Sequence, residues 1–305
     1  MTDLAGSPYP PPSGAPLRAP SFGMRHPRLV AAAAVAVAIG LVVAGYSAAV
    51  AIAAVFVVGV PLEKLWPRHR QRVRRPELST DLLWAMLAPL SQIIGAVVAI
   101  VIGLVSLAWV PALPLRPLVL AMPGPVRAIT GFLLFDFLVY LSHRASHELP
   151  FLWRFHSVHH STRTLDWVSG FRTHPLDGVF AAPAFAVLLG AGFSLRIAGA
   201  LAVVQVILGI SAHLNVRWEL RPLQRFVFTP EFHHWHHSNE REAWNKNYGV
   251  FLPIWDILFS TCYLPGDRRP ESYGIDQPMP SGVLAQLMQP FRRNLPIAPS
   301  VGQIG

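Results

Sequence analysis

From residue 29 to residue 62 the chain carries no charged side chain, and no other feature narrows its fold as much. The run exceeds the roughly 20 apolar residues that cross a bilayer core as a helix. It is also too long for the apolar region of a signal peptide, usually about 7 to 15 residues. Largely apolar stretches with few charges recur from Asp81 to Val110, from Ile129 to Leu141 and from Leu176 to Ala212. Composition agrees, with 52% hydrophobic and only 13% charged residues, far from the soluble average. The expected fold class is all-α: multi-pass transmembrane helices with a cytoplasmic helical cap.

Four regions are expected along the chain. Residues 1–28 hold seven prolines and no periodic apolar pattern, which predicts a disordered arm. Residues 29–128 hold transmembrane helices and a basic interfacial segment, residues 129–263 hold nearly all the histidines, and residues 264–305 form a Pro-rich tail. Residues 29–62 read as a hairpin broken near Gly45-Tyr46-Ser47 or as one tilted span, with the Arg-rich flanks favouring the hairpin. One crossing over Asp81–Val110, a return over Ile129–Leu141 and a second hairpin over Leu176–Ala212 bring every histidine cluster to one face, the cytoplasmic one.

The net charge of +9 comes almost wholly from arginine, since lysine occurs only at Lys64 and Lys246. Arg25 and Arg28, and then Arg68, Arg70, Arg72, Arg74 and Arg75, flank apolar spans. A positive-inside bias and anionic lipid account for that placement, so nucleic acid is not an expected partner. The single cysteine, Cys262, excludes an intrachain disulfide and a cysteine-ligated cluster. Any metal must be held by nitrogen and oxygen.

Eleven of the thirteen histidines lie between His143 and His237. Most form three boxes: His143-Arg-Ala-Ser-His147, His156-Ser-Val-His159-His160 and His233-His234-Trp-His236-His237. Spacings of three and four residues put imidazoles on one helix face a turn apart, as converging on an ion requires. Neutral imidazole suits iron, zinc, copper and nickel. The boxed histidines are too many for one tetrahedral zinc, so they suit two ions. A nitrogen-ligated pair of irons activating O₂ is the leading chemistry. A zinc-dependent hydrolase or isomerase and a non-catalytic metal-binding membrane protein are the alternatives.

Outside the boxes, His213 ends an apolar run and reads either as a ligand or as a buried hydrogen-bonded histidine. His234 points about 100° around a helix from His233 and is left out of the ligand set. His174, before Pro175, is expected to face substrate or support a ligand, and His26 and His69 to be solvated. Asp136 lies within an apolar segment, where an ionisable group is costly. It shares a helical stripe with Tyr140, His143 and His147, and is expected to accept a hydrogen bond from a ligand histidine. Glu231, Asp256 and Asp166 are further acidic candidates, and Trp153, Trp167 and Trp235 read as channel linings or interfacial anchors.

These elements together resemble the fatty acid hydroxylase and sterol desaturase superfamily. The resemblance runs roughly from Gly131 to Tyr263 and includes Asp136-x-x-x-Tyr140-x-x-His143-Arg144-x-x-His147, His174-Pro175, His213-x-Asn215, Thr229-Pro230, Asn247-Tyr248-Gly249 and Trp255-Asp256. It implies His143, His147, His156, His159, His160, His213, His233, His236 and His237 as ligands of two irons. Asp136, His174, Asn215 and Asp256 are expected around them. It further implies an O₂-dependent enzyme that hydroxylates or desaturates a fatty acyl chain, sterol or related lipid. No fused haem-binding segment is visible, so electrons are expected from a separate donor such as a ferredoxin or a cytochrome b5-like carrier with its reductase. The chain departs from some members at Arg217, where they carry a second histidine, and at Ser260, where a glycine is common.

Overall fold

The computed structural model describes residues 48–292, apart from residues 73, 218–222 and 267, together with isolated positions between 36 and 44. The expected N-terminal arm, the start of the first apolar run with its expected break near Gly45-Tyr46-Ser47, and the end of the C-terminal tail lie outside the described residues. Among the described residues the architecture is all-helical, with two isolated antiparallel bridges, Pro67 with Val216 and Ser238 with Tyr273.

The helices are α1 (Ala48–Leu65), α2 (Leu78–Val105), α3 (Arg116–Ala121), α4 (Gly124–Glu148), α5 (Pro150–His160), α6 (Ala182–Gly190), α7 (Leu195–Ala212), α8 (Pro230–His236), α9 (Ile254–Leu258) and α10 (Val283–Met288). Three of them, α2, α4 and α7, are long and apolar enough to cross a membrane. Helix α2 shows why: Met86, Leu90, Ile93, Val97, Ile100 and Leu104 are all exposed along it. So many unpartnered aliphatic side chains suit lipid rather than water.

Local sequence sets the helix ends. Ser194 caps α7 by accepting from the Ile197 amide, and Thr229 caps α8 by accepting from Phe232, with Pro230 at the first helical position. Between α4 and α5 the chain turns at Leu149, held extended (φ −95°, ψ 116°) ahead of Pro150. That turn lays the second histidine box of α5 against the first box at the end of α4.

Helices α6 and α7 form a helical hairpin in the expected stretch, but α6 has nine residues and only α7 is a candidate span; the bend between them packs at the end of the molecule remote from the histidines. There Gly190 lies against the main chain of Trp109, where an added Cβ would meet the Trp109 oxygen at 2.6 Å, and Phe193 packs on Gly131. A core of Ala112, Val119, Phe135, Val139, Leu188, Ala191, Phe193 and Phe251 joins α3, α4, α6 and the loop after the third box. At the other end, the C-termini of α1, α4 and α7 and the N-terminus of α2 gather under a polar cap.

Buried ion pairs fasten that cap. Arg172 is fully buried against Asp81 (Nη2 to Oδ1, 2.5 Å), while Arg75 reaches both Asp81 (2.7 Å) and Asp166 (2.6 Å). Pairs removed from water hold only if their hydrogen bonds are largely complete; Arg172 adds Ser161 and Glu77 as partners. The C-terminal segment folds back as well, with Trp84 of α2 donating to Gln286 of α10 at 2.7 Å.

Candidate metal centre

All nine candidate ligand histidines converge, and they do so in two clusters. His143, His147, His156, His160 and His236 form one; His159, His213, His233 and His237 form the other. Within each cluster the candidate ligand nitrogens lie within 4.8 Å of one another. The clusters adjoin, since the rings of His160 and His237 stack at 4.2 Å.

Hydrogen bonding from behind fixes which nitrogen faces inward. Nδ1 of His143 donates to the Tyr248 carbonyl (2.7 Å), His159 to Arg172 (3.1 Å), His213 to Gly209 (2.7 Å) and His236 to Lys246 (2.8 Å). Nδ1 of His156 donates to the Asp177 carboxylate, with both oxygens at 2.9 and 3.0 Å. A carbonyl or carboxylate oxygen only accepts, so Nδ1 carries the proton and, in a neutral ring, Nε2 presents a bare lone pair.

The Nε2 atoms face each other across each cluster. His143 and His156 bring their Nε2 atoms to 3.2 Å, and in the second cluster the Nε2 atoms of His213, His233 and His237 form a triangle with sides of 3.0, 3.2 and 3.3 Å. The Nε2 atoms of His147 and His236 are buried with no partner. Burial lowers the pKa of His159, His160, His233, His236 and His237 well below the usual histidine value, and that of His213 to about 4. Neutral lone pairs packed this way repel unless a cation sits among them. A metal–nitrogen bond of about 2.1 Å sets neighbouring ligand nitrogens about 3.0 to 3.4 Å apart, depending on the coordination angle. The donor set therefore fits two metal ions.

The remaining predicted residues sit further out. Asp136 reaches no histidine: its Oδ2 accepts from the Trp255 indole at 2.8 Å. Asp136 precedes His143 by seven residues, about 10 Å along the helix axis, too far for a hydrogen bond to a ligand ring. The role expected of it belongs to Asp177. His174 faces away from both clusters, donating to the Leu287 carbonyl (3.2 Å) and accepting from the Leu176 amide (3.1 Å). Asn215 does not touch His213; its amide group bonds both main-chain groups of His69 and so ties the segment after α7 to the α1–α2 linker. His234 turns outward to the Tyr273 hydroxyl at 2.9 Å.

Asp256 acts through the main chain. Its carboxylate accepts from the amides of Tyr248 (2.9 Å) and Gly249 (2.7 Å) and from the Thr261 hydroxyl (2.6 Å), fixing the turn whose Tyr248 carbonyl holds His143. Burial pushes its pKa up. Asn247, between the two carbonyls that hold His236 and His143, has φ 59° and bonds Phe232 and Tyr263 through its side chain. Gly249 leaves no room for a side chain, since a Cβ would meet the Leu252 oxygen at 2.8 Å and Asp256 Oδ2 at 2.9 Å.

Fold and site together define a helical protein with candidate membrane spans and, at one end of them, a buried histidine centre able to hold two metal ions. Residues 128–261 match the fatty acid hydroxylase family. An ornithine lipid hydroxylase from Rhizobium tropici is 35% identical over 174 residues, covering 56% of this chain and 52% of the relative. An alkylglycerol monooxygenase from Homo sapiens is 27% identical, covering 49% of this chain and 33% of the relative. A very-long-chain aldehyde decarbonylase from Oryza sativa subsp. japonica is 29% identical, covering 45% and 23%. The chain thus spans about half the length of the first of these and a third or less of the others. No solved structure matches.

Proposed function

We propose that this chain is a membrane-bound oxidoreductase that uses O₂ and external electrons to hydroxylate or desaturate a lipid at two irons held by the nine histidines. The observation that carries the reading is the pair of clusters in which neutral Nε2 lone pairs converge. The relatives named above are called a lipid hydroxylase, a monooxygenase and an aldehyde decarbonylase, which supports redox chemistry on a lipid.

When bound, the irons supply the redox change that O₂ reduction needs. Hydroxylation consumes O₂, two electrons and two protons and yields the alcohol and water. The chain's own contribution is to hold the ligands: main-chain carbonyls and Asp177 keep five Nδ1–H groups facing outward and so fix each tautomer. Burial of the rings excludes water from the centre. We assign the histidine face to the cytoplasmic side, because Arg70, Arg72, Arg74 and Arg75 precede α2 at that end. The electron donor is then a cytoplasmic carrier, a ferredoxin or a cytochrome b5-like protein with its reductase.

The test is metal analysis of anaerobically purified protein, followed by O₂ uptake with a chemical reductant and mass-spectrometric lipid profiling of a deletion strain. Two irons per chain, O₂ consumption and loss of an oxidised or desaturated lipid are expected. Zinc without O₂ uptake would make it a hydrolase or isomerase, and reversible ion release without turnover would make it a metal-binding protein.

A further inference from the structure

Helix α9 is only five residues long, yet it is sharply two-faced. Ile254, Ile257 and Leu258 are exposed on one side, at the spacing of a single helical face, while Asp256 points inward and is fully buried. Phe259, which follows, is exposed too. Beside them run Leu223, Phe226 and Val227, also exposed, Phe226 to 70%. The two segments are joined where the Phe228 amide donates to the Phe251 carbonyl at 3.0 Å. Seven large apolar side chains thus stand outward from the part of the chain that holds the third histidine box. An apolar patch on the order of several hundred Å² is more than a water-facing surface ordinarily carries without a partner.

The depth of the patch says what that partner is. Trp255 bonds Asp136, its ring lies 4.8 Å from that of Phe137, and the Phe259 ring lies 5.6 Å from Tyr140. Phe251 packs on Phe132 and Phe135, at 5.6 and 5.8 Å. All of these α4 residues precede His143, by three to eleven positions, so this packing lies about 5 to 16 Å along the axis from His143 toward the middle of a membrane-spanning helix. Leu133 and Leu141, on the same stretch of α4, are exposed. The patch therefore continues the lipid-facing flank of α4. Its edge is basic: Arg225 is exposed, Lys246 is half-buried, and both lie within electrostatic reach of Cys262. Long cationic side chains at the rim of an apolar surface suit phosphate headgroups.

We propose that α9 and residues 223–228 form a membrane contact that does not span, covered by the acyl chains of one leaflet, so that the histidine cap is partly sunk in the bilayer. An amphipathic helix at the interface buries its apolar face about 5 to 10 Å into the acyl boundary, which agrees with the depth along α4. The turn that carries Asp256 and Tyr248 then lies at the lipid boundary, directly behind His143. This placement is independent of the reaction assigned to the centre.

The test is nitroxide accessibility in the full chain, reconstituted in phosphatidylcholine nanodiscs. Labels go at Phe226→Cys and at Leu258→Cys, in separate proteins, with Cys262 replaced by Ser or, where that variant does not fold, by Ala. Ile93→Cys on the exposed face of α2 reports lipid, and Arg163→Cys on the exposed cap reports water. The expected result is a ratio of O₂ to nickel-chelate collisions at 226 and 258 severalfold above that at 163 and no higher than that at 93, which lies deeper along its helix. A ratio equal to that at 163 overturns the proposal. Low collision rates with both reagents, together with spin–spin broadening, would show a second copy covering the patch and overturn it equally.

Discussion

Asp177 places both carboxylate oxygens on Nδ1 of His156, at 2.9 and 3.0 Å, and is the only side-chain carboxylate among the described residues seen to bond a candidate ligand histidine. The other four fixed rings rest on main-chain carbonyls, so His156 is the ring whose basicity a single substitution can change. Asp177→Asn removes the charge while keeping the size. Supporting groups of this kind are worth about 10- to 100-fold in metal affinity. The expected outcome is a loss of that order at the five-histidine cluster, read by chelator competition, with the four-histidine cluster unaffected. Equal weakening at both clusters would contradict the assignment.

The two clusters share no histidine, so their ions should be separable. His147→Ala is expected to lower bound metal from two ions per chain to one, and His233→Ala to do the same at the other cluster. The double variant should hold neither. Elemental analysis of purified protein decides it, and full retention of metal in either single variant would remove that histidine from the ligand set.

How much of this was legible in the sequence follows from periodicity. Boxes spaced by three and four residues announce converging rings, and long uncharged runs announce spans, because both signals are local. The outward turn of His234 followed from its angle on the helix in the same way. Asp177 stayed hidden because it is 21 residues from its partner and stands at the start of an apolar run with nothing local to mark it. The carbonyls of Tyr248, Arg172, Gly209 and Lys246 were beyond reach for another reason: an acceptor on the main chain leaves no trace in residue type. For Asp136 the stripe was right and the distance wrong, since the same helix face extends well below the ligands.

Asn247 gives a prediction of its own. It holds a left-handed conformation that asparagine tolerates better than most residues, and its side chain makes three hydrogen bonds to Phe232 and Tyr263. Asn247→Ala leaves buried main-chain groups without partners, at about 1 to 3 kcal/mol. The carbonyls of residues 246 and 248, which hold His236 and His143, should loosen with it. A lower melting temperature together with weaker binding at the five-histidine cluster is the expected pair of results. An unchanged melt would show the turn to be held by its other contacts.

The pH dependence has a definite sign. His213 has its pKa lowered to about 4 by burial, and His159, His160, His233, His236 and His237 are lowered well below the usual histidine value by burial and by one another. An unfolded chain takes up these protons near pH 6.5. The folded metal-free protein therefore keeps its full stability above about pH 6.5 and loses it as the pH falls toward 4, because protonation favours the unfolded state. Metal should suppress that loss by occupying the same lone pairs. Thermal melts of metal-free and metal-loaded protein across pH 7 to 4.5 check this, and parallel curves would show that the histidines are not the groups responsible.

Asp136 separates support of the fold from support of the metal. Its carboxylate accepts from the Trp255 indole, and so fastens α9 to α4. It touches no histidine, which distinguishes it from Asp177. Asp136→Asn replaces the carboxylate acceptor of the Trp255 indole with a weaker neutral one, at about 1 kcal/mol. Both metal sites should nevertheless fill, because every outward Nδ1 contact remains in place. A lower melting temperature with two ions still bound is therefore the expected outcome, measured on the same preparation. Loss of an ion without a change in melting would instead give Asp136 the role in the centre that its position on the helix first suggested.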